Sequence, residues 1–152
     1  MAIYHLSVKI IGRSSGRSAV AAAAYRSGEC IANEWDGVTH DFRKKNWVKF
    51  TEVLLPDHAP QNFKNRKNLW NAVEVAEKSK SAQLAREFEL ALPKELPHER
   101  QVELIEKFVK EELVSKGMCV DLAIHNPPKT NDRHQPIDAD GKVTHDIQKM
   151  QF

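Results

Sequence analysis

The sequence predicts an α+β fold in which helices pack on an antiparallel sheet. The chain has 152 residues, a length that suits one domain with a single core. The predicted elements alternate between strand and helix, and the series begins and ends with a strand. One of these strands alternates apolar and acidic residues, which leaves one face of the sheet for solvent. A half-solvated sheet is typical of antiparallel rather than fully buried parallel strands.

The first predicted strand is Tyr4–Ile11, which alternates and is rich in β-branched residues. The segment Gly12–Ser18 that follows, "GRSSGRS", predicts a loop. The small apolar residues after it predict a helix that runs towards Arg26, with Ser18 as its N-cap. Gly28 stands where a helix commonly ends.

The middle of the chain contains one strand and one helix. The segment Ile31–Asn46 is polar and predicts irregular structure, whereas Val48–Leu55 predicts a strand that ends at Pro56. A second helix is predicted over Asn65–Lys78 because its apolar residues recur with helical spacing. These residues are Leu69, Trp70, Val73 and Ala76.

The segment Ala85–Leu92 predicts a strand with two different faces. Its apolar face, directed to the core, carries Phe88, Leu90 and Leu92, and its acidic face carries Glu87 and Glu89.

The remaining elements are a helix, a strand and a polar end segment. An amphipathic helix is predicted over Pro97–Lys116, with Gly117 as its stop, and a strand over Met118–His125. The residues of Asn126–Phe152 are polar and have no sustained apolar period. We interpret this last segment as a hairpin-like insertion or a loosely ordered tail.

The formal charge of +2 does not by itself indicate a nucleic-acid partner. Two local runs are more basic: Arg43–Lys49 and Lys64–Lys67, near Trp47 and Trp70 respectively. Cations beside an aromatic ring can hold a phosphate backbone and stack a base. The alternative interpretation is a solvated face with a buried tryptophan.

The two cysteines, Cys30 and Cys119, lie far apart and lack metal-ligand spacing. Together with the polar N-terminal residues, this pattern predicts a protein of the reducing cytoplasm. No run approaches the roughly 20 apolar residues of a membrane span.

Four side chains are candidates for chemistry, each with a simpler explanation beside it. Tyr25, which ends the alanine-rich helix, is either a nucleophile or an aromatic residue that covers the core. His125, at a strand end before a loop, is either a metal ligand or a hydrogen-bonded structural histidine. Glu87 and Glu89 are either reactive carboxylates or polar residues on a wet strand face.

Three blocks of the chain, in this order, resemble the MobA/MobL relaxases, the plasmid-mobilisation nucleases of the HUH group. The blocks are "MAIYHLSVKIIGRSSGRSAVAAAAYRSGE" at the N-terminus, "LWNAVEVAEKSKSAQLAREFELALPKEL" over Leu69–Leu96, and "VDLAIHNP" over Val120–Pro127. The resemblance implies an HUH relaxase-like fold with a ferredoxin/RRM-like core, in which residues 1–152 are one relaxase (nicking) domain.

The resemblance also implies a reaction and its residues. Relaxases of this family cut one DNA strand at a plasmid transfer origin by metal-assisted transesterification, for conjugative mobilisation. The family's tyrosine nucleophile corresponds to Tyr25, its first metal-binding histidine to His125, and its acidic pair to Glu87 and Glu89. The product is a 5′-phosphotyrosine link, and the cofactor is a divalent metal, Mn²⁺ or Mg²⁺.

The implied partner is single-stranded or hairpin DNA at the transfer origin, with accessory mobilisation proteins left open. The candidates for phosphate contact are three arginines in and around the alanine-rich helix and the basic residues of the Arg43–Lys49 run. They are Arg13, Arg17, Arg26, Arg43, Lys44, Lys45 and Lys49.

The sequence departs from the family pattern at the metal site. The family has two further histidines in a His-hydrophobic-His element, and no such element occurs here. His134 and His145 stand in polar sequence and are alternative ligands. We therefore expect either an N-terminal fragment of a longer relaxase, incomplete at its C-terminus, or improvised ligands, and favour the fragment. Two other functions stay open: a non-catalytic single-stranded DNA-binding module, and a rolling-circle replication initiator.

Overall fold

The structure, a computed structural model, describes residues 5–126 and the backbone of residues 129–130 and 136–137. Its strands are β1 (Leu6–Gly12), β2 (Cys30–Ala32), β3 (Thr39–Asp41), β4 (Val48–Leu54), β5 (Gln83–Leu90), β6 (Val120–His125), β7 (Lys129–Thr130) and β8 (Pro136–Ile137). Its α-helices are α1 (Ala19–Ser27), α2 (Arg66–Ala76) and α3 (His98–Glu112).

The strands pair in antiparallel fashion, as the sequence predicts. Within the described residues they form four two-stranded sheets, β1–β5, β2–β3, β4–β6 and β7–β8. The α+β class with antiparallel strands is therefore confirmed. The described strands do not form one continuous sheet. Side-chain packing, and not a ladder of backbone hydrogen bonds, joins the pair β1–β5 to the pair β4–β6 among these residues.

One hydrophobic core lies between α3 and the strands. Leu122 and Ile124 of β6 pack there with Ile105 and Val109 of α3, and Phe88 of β5 packs against the same cluster. Alternate residues of a strand share a face, so these contacts place α3 on one side of both strand pairs. The core face predicted for β5 is confirmed.

Helices α1 and α2 lie on the opposite face of β6. Asp121 of β6 accepts hydrogen bonds from Arg66 and Trp70 of α2, and His125 of β6 donates to the Arg26 carbonyl of α1. All six residues of β6 are buried. β6 therefore has α3 on one face and α1 and α2 on the other, which we call the α1–α2 side. Its polar side chains, Asp121 and His125, both contact helices on the α1–α2 side.

A register shift in the β1–β5 ladder brings a second core to the α1–α2 side. Ile11 pairs with Ala85 while Gly12 pairs with Gln83, so Leu84 is the additional residue of a β-bulge. Leu84 packs with Ile11 and with Ala19 of α1, whereas Phe88 packs with the α3 core. Strict alternation would place Leu84 and Phe88 on one face, and the bulge removes that constraint.

Helix α1 has the predicted start and stop. Ser18 is its N-cap, and the Ser18 hydroxyl accepts from the Ala21 amide. Gly28 ends it at φ 68°, in the left-handed region that glycine adopts without steric penalty. Ala23 and Ala24 are fully buried, so the small side chains let this helix lie close to its neighbours.

The sequence predicts irregular structure over Ile31–Asn46. This prediction is wrong, because the segment contains a β-hairpin made of β2 and β3. Strands β2 and β3 flank a turn in which Asn33 Oδ1 accepts from Trp35 N and Asp36 Oδ1 accepts from Val38 N. Gly37 in the same turn has φ 74°. The Asp-Gly dipeptide is the sequence signal for this turn, since both residues tolerate its backbone geometry.

Helix α3 is shorter than predicted, because its last residues form a 3₁₀ turn, Val114–Lys116, that ends at Gly117. Most of the polar segment Asn126–Phe152, with His134 and His145, lies outside the described residues.

The α3 core provides a direct test of this packing. We expect Ile105→Ala to lower the free energy of unfolding by about 2–5 kcal/mol, because Ile105 is only 2% exposed. Leu104→Ala on the same helix is the matched control, since Leu104 is 47% exposed, and its effect should stay within about 0.5 kcal/mol. Urea denaturation measures both, and equal losses would contradict the placement of α3.

Candidate active site

Tyr25 lies in the last turn of α1 and is 43% exposed. Its ring contacts Phe42 edge to face, with 5.3 Å between the ring centroids and 86° between the planes. The ammonium of Lys45 lies over the ring, 3.2 Å from its centroid. Tyr25 is thus neither buried in the core nor loose in solvent: Phe42 and Lys45 hold a ring that remains accessible.

The carbonyls of this last helical turn accept hydrogen bonds from two side chains. Lys45 Nζ donates to the Tyr25 carbonyl, and His125 Nε2 donates to the Arg26 carbonyl at 2.6 Å. The last carbonyls of an α-helix have no partner inside the helix and carry partial negative charge. A cationic and an imidazole donor therefore stabilise the helix end that carries Tyr25.

His125 ends β6 and is buried on the face where α1 lies. In the β4–β6 ladder, His125 pairs with Val48 of β4. Because a carbonyl only accepts, Nε2 carries the hydrogen in this arrangement. Coordination of a metal by His125 would therefore use Nδ1, or would require Nε2 to leave the Arg26 carbonyl.

A buried ion pair joins α1 to β5. Arg26, 4% exposed, places Nη2 3.0 Å from Oε1 of Glu87, and Arg17 Nη2 donates to Oε2 of the same carboxylate at 2.6 Å. Burial acts to raise the pKa of Glu87, but the hydrogen bond from Arg17 and the charge of Arg26 outweigh it and lower this pKa. Glu87 is buried, contrary to the wet face predicted for it, because two guanidinium groups compensate its charge.

Glu89, the second predicted carboxylate, lies two residues further along β5 and is only partly exposed. Its Oε1 is 3.7 Å from His5 Nε2. The two glutamates therefore have different surroundings: one is enclosed by arginines, and the other lies near a histidine at the start of the described chain.

The N-terminal end of α1 is held by Glu74 of α2, which is 1% exposed. Glu74 Oε1 accepts from the Ser18 hydroxyl and from the amide of Ala19 at 2.8 Å, and Arg13 pairs with Oε2 at 3.2 Å. A carboxylate at a helix N-terminus satisfies unpaired amides and complements the helix dipole. Both ends of the helix that carries Tyr25 are thus fixed by side chains from elsewhere.

A second buried ionic group anchors α2 to β6. Asp121 accepts from Arg66 Nε and from Trp70 Nε1, each with a 2.7 Å contact, and Arg66 also pairs with Glu29. Burial raises the pKa of Asp121, and Arg66 opposes this effect. The interaction fixes α2, and with it Glu74, relative to β6.

Most of the predicted phosphate contacts are engaged within the protein. The Arg13 guanidinium donates to the Glu74 carbonyl of α2 and to the carbonyl of Glu77, the C-cap of α2. It also lies 4.0 Å from the centroid of the Trp35 ring. Arg43 forms two hydrogen bonds to Asp41, which lower the pKa of that carboxyl to about 2. Lys44 and Lys49, by contrast, are exposed.

The two tryptophans proposed to stack bases have different surroundings. Trp70 is partly buried and bonded to Asp121, in agreement with the structural interpretation. Trp47 is partly exposed and lies 5.1 Å from the Lys45 ammonium.

Sequence reasoning missed three contributors to this site: Glu74, Asp121 and Phe42. Glu74 and Asp121 occur within otherwise apolar stretches, so a charged residue at a position expected to be buried was the available signal. Phe42 has no such signal, because its contact with Tyr25 depends on the β2–β3 hairpin.

Two properties of the described part of the chain concern metals and membranes. Among the residues that the structure describes, no group of three or more His, Cys, Asp or Glu side chains is arranged to hold a metal ion. His125 alone does not fit a complete metal centre. In the same residues, none of the helices has the length and apolar character to cross a membrane.

Comparison with known proteins identifies relatives across most of the chain. The sequence profile of the MobA/MobL family matches residues 17–137. The chain is 41% identical over 133 residues to "Mobilization protein MobL" of Acidithiobacillus ferridurans, covering 88% of this chain and 34% of that protein. It is 36% identical to "Probable mobilization protein MobA" of Bifidobacterium longum (strain NCC 2705), covering 90% of this chain and 24% of the relative. The chain thus spans about a third or less of the length of these relatives.

The fold also matches a solved structure described as "Molecular Basis of Vancomycin Resistance Transfer in Staphylococcus aureus". The TM-score is 0.78 at 32% identity, and the match covers 94% of this chain and 76% of that one. This agreement supports the fold class described above, helices packed on antiparallel strands.

The buried ion pair of Glu87 predicts a specific response to acid. Because its folded-state pKa is lowered, its contribution to stability is present above the unfolded value, about 4.3, and is lost as pH falls through the folded value. We expect Glu87→Gln to lower the free energy of unfolding by about 1–3 kcal/mol at pH 7. This difference from the wild-type protein should shrink below about pH 4.3.

Denaturant titrations between pH 3 and 7 measure this response. Glu89→Gln is the matched control on the same strand, and it should keep the acid response of the wild-type protein. A Glu87→Gln effect of equal size at pH 3 and pH 7 would contradict the charged pair.

Proposed function

We propose, since this chain belongs to the MobA/MobL family, that it is the nicking domain of a DNA relaxase that acts at a plasmid transfer origin. The observation that carries this proposal is the accessible Tyr25, fixed on a helix end that bonds to His125. These two residues are the family's expected nucleophile and first metal-binding histidine, and both belong to the α1–α2 side of β6. A nucleophile and a phosphate-binding group have to share a face in order to reach one phosphorus.

The proposed reaction is a transesterification. The Tyr25 phenol oxygen attacks the scissile phosphorus, the bond from phosphorus to the 3′ oxygen breaks, and that oxygen leaves as a 3′-hydroxyl after taking up a proton. The protein keeps the 5′-phosphate as a phosphotyrosine ester. This ester conserves the energy of the broken bond, so a 3′-hydroxyl can later rejoin the strand without a nucleotide cofactor.

We infer a positioning role for Glu87 rather than a role as general base. Each oxygen of its carboxylate contacts a guanidinium, and its pKa is lowered, which makes it a weak proton acceptor near neutral pH. Its contact with Arg26 fixes the residue that follows Tyr25. Glu89 is only partly exposed and contacts no guanidinium among the hydrogen bonds and ion pairs of the described residues, so it is the better candidate for accepting the phenol proton.

The DNA is proposed to be single-stranded or extruded as a hairpin, because the scissile nucleotide has to bend into the site. Among the predicted cations, Lys44, Lys49 and Arg43 are exposed, and Arg43 pairs with Asp41. Arg17 is also partly exposed, and a phosphate could share its guanidinium with Glu87.

A divalent metal, Mn²⁺ or Mg²⁺, would neutralise charge on the scissile phosphate when bound. His125 is the ligand that we propose within the described residues, and these residues do not complete a metal centre. Further ligands, His134 and His145 among the candidates, would have to come from outside that part of the chain.

A covalent adduct tests the nucleophile. Incubation of the chain with single-stranded transfer-origin DNA and Mn²⁺ should give a DNA-linked band of lower mobility on a denaturing gel. Tyr25→Phe should abolish this band because it removes only the phenol oxygen. Tyr4→Phe is the matched control and should leave the band in place, since the chain has two tyrosines.

An adduct that persists in Tyr25→Phe would exclude Tyr25 as the nucleophile. A shift in a native gel without any adduct would favour the non-catalytic DNA-binding function. A preference for replication-origin over transfer-origin DNA would favour the initiator.

Metal titration tests His125. We expect weak Mn²⁺ uptake in calorimetry, reduced by His125→Gln, because glutamine keeps an N–H donor for the Arg26 carbonyl and removes the imidazole. Tight uptake that His125→Gln leaves unchanged, and that His134→Ala with His145→Ala abolishes, would reassign the ligands.

A further inference from the structure

The ammonium of Lys45 contacts the proposed nucleophile, Tyr25, in two ways. Nζ lies 3.2 Å from the centroid of the phenol ring, and it donates a hydrogen bond to the Tyr25 carbonyl. The Trp47 ring lies on the same ammonium at 5.1 Å. A group with this many internal contacts differs from its exposed neighbour Lys44.

The charge of Lys45 is held in place by aromatic faces rather than by a carboxylate. Burial first, and the positive charge of Arg26 second, lower the pKa of Lys45 to about 8. In the β2–β3 hairpin, both carboxylate oxygens of Asp41 accept from Arg43, and the Cys30 thiol acts electrostatically on Arg43. The favourable partners of the ammonium in this structure are therefore a ring face and a helix-end carbonyl.

We propose that Lys45 is a positioning residue for Tyr25: its cation–π contact fixes the phenol ring, and its hydrogen bond fixes the backbone that carries this ring. A tyrosine in the last turn of a helix has more than one accessible χ1 rotamer. The contact of the ammonium with one ring face and the edge-to-face contact with Phe42 together select a single orientation. Pre-orientation of a nucleophile lowers the entropic barrier to in-line attack.

This role differs from the phosphate contact predicted for Lys45 from the basic run. A phosphate ligand would point its ammonium towards DNA and would change affinity and its salt dependence. A positioning residue changes the rate of the covalent step at saturating DNA. The effect on rate rests on the proposed function of Tyr25, but the contact itself does not.

Proton NMR of the full chain tests the contact without DNA or cleavage. Methylene protons above an aromatic face are shielded, so the Lys45 Hε resonances should lie upfield of those of the other lysines. Tyr25→Phe keeps the ring and should keep this shift, whereas Tyr25→Leu should reduce it to the smaller contribution of the more distant Trp47 ring. Lys44→Met is the control and should leave the shift unchanged. An unshifted Lys45 signal, or a shift of the same size in the wild-type protein and Tyr25→Leu, would overturn the proposal.

Single-turnover adduct formation tests the consequence. Lys45→Met should slow the covalent step roughly tenfold at saturating DNA, the loss expected for a cation–π contact of ordinary strength. Lys45→Arg should restore the rate, because it keeps both the charge and a donor. Lys107→Met, on the exposed face of α3, is the control for loss of a lysine charge.

The pH profile separates positioning from a general loss of structure. Lys45 loses its proton as pH rises through about 8, whereas arginine stays charged. The ratio of the Lys45→Arg rate to the wild-type rate should therefore rise between pH 7 and pH 9, and a constant ratio would contradict the proposal. Weaker DNA binding of Lys45→Met with an unchanged covalent rate would show a phosphate contact instead.

Failure of the proposed function gives a different result. If Tyr25→Phe still forms the adduct and only Tyr25→Leu reduces the Lys45 shift, the contact stands and the nucleophile is another residue. If the adduct requires Tyr25 and the Lys45 shift is absent, the nucleophile stands and Lys45 does not position it.

Discussion

The attachment of α1 at both ends is the constraint on which the site depends. A helix of nine residues is too short to be stable alone in water. Its N-terminal amides are satisfied by Glu74 of α2, and its last carbonyls by Lys45 and His125. These partners come from three separate parts of the chain, so the helix exists in this position only when the tertiary structure is complete. Tyr25 takes its place from that arrangement.

Buried charges provide the second level of organisation. The Arg26–Glu87 pair connects α1 to β5, and the Arg66–Asp121 pair connects α2 to β6. Removing one partner of such a pair leaves a charge in the interior without its full compensation, which is destabilising. The pairs therefore oppose any movement of α1 and α2 relative to the strands. A site built this way holds its side chains before substrate arrives, which favours catalysis by orientation.

The small side chains of α1 allow this helix to pack closely against its neighbours. Ala23 and Ala24 are buried, and larger residues at these positions would push the helix away from its neighbours. The one large side chain of the last turn that stays accessible is Tyr25, and its ring contacts Phe42 and Lys45 instead of the core. An alanine-rich helix that ends in a tyrosine therefore combines close packing with an accessible aromatic hydroxyl.

Local patterns in the sequence were sufficient for the elements governed by short-range physics. The N-cap Ser18, the stop at Gly28 and the apolar face of β5 depend on neighbouring residues only, and the structure confirms each of them. The β2–β3 hairpin had a local signal in its Asp-Gly turn as well, but its short strands lack a sustained alternation. The bulge at Leu84 had none, because it depends on the register between β5 and β1.

The sequence by itself determined the α+β class, the helix that carries Tyr25 and the residues that resemble the family's reacting groups. Only the tertiary structure decided how those groups are used: Glu87 is buried between two arginines, His125 caps a helix, and Lys45 lies on the Tyr25 ring. The physical reason is that hydrophobic periodicity and capping act over a few residues, and one chain shows them directly. Ion pairs and ring contacts join residues that are far apart in sequence, and their partners are defined only when the helices and strands have packed.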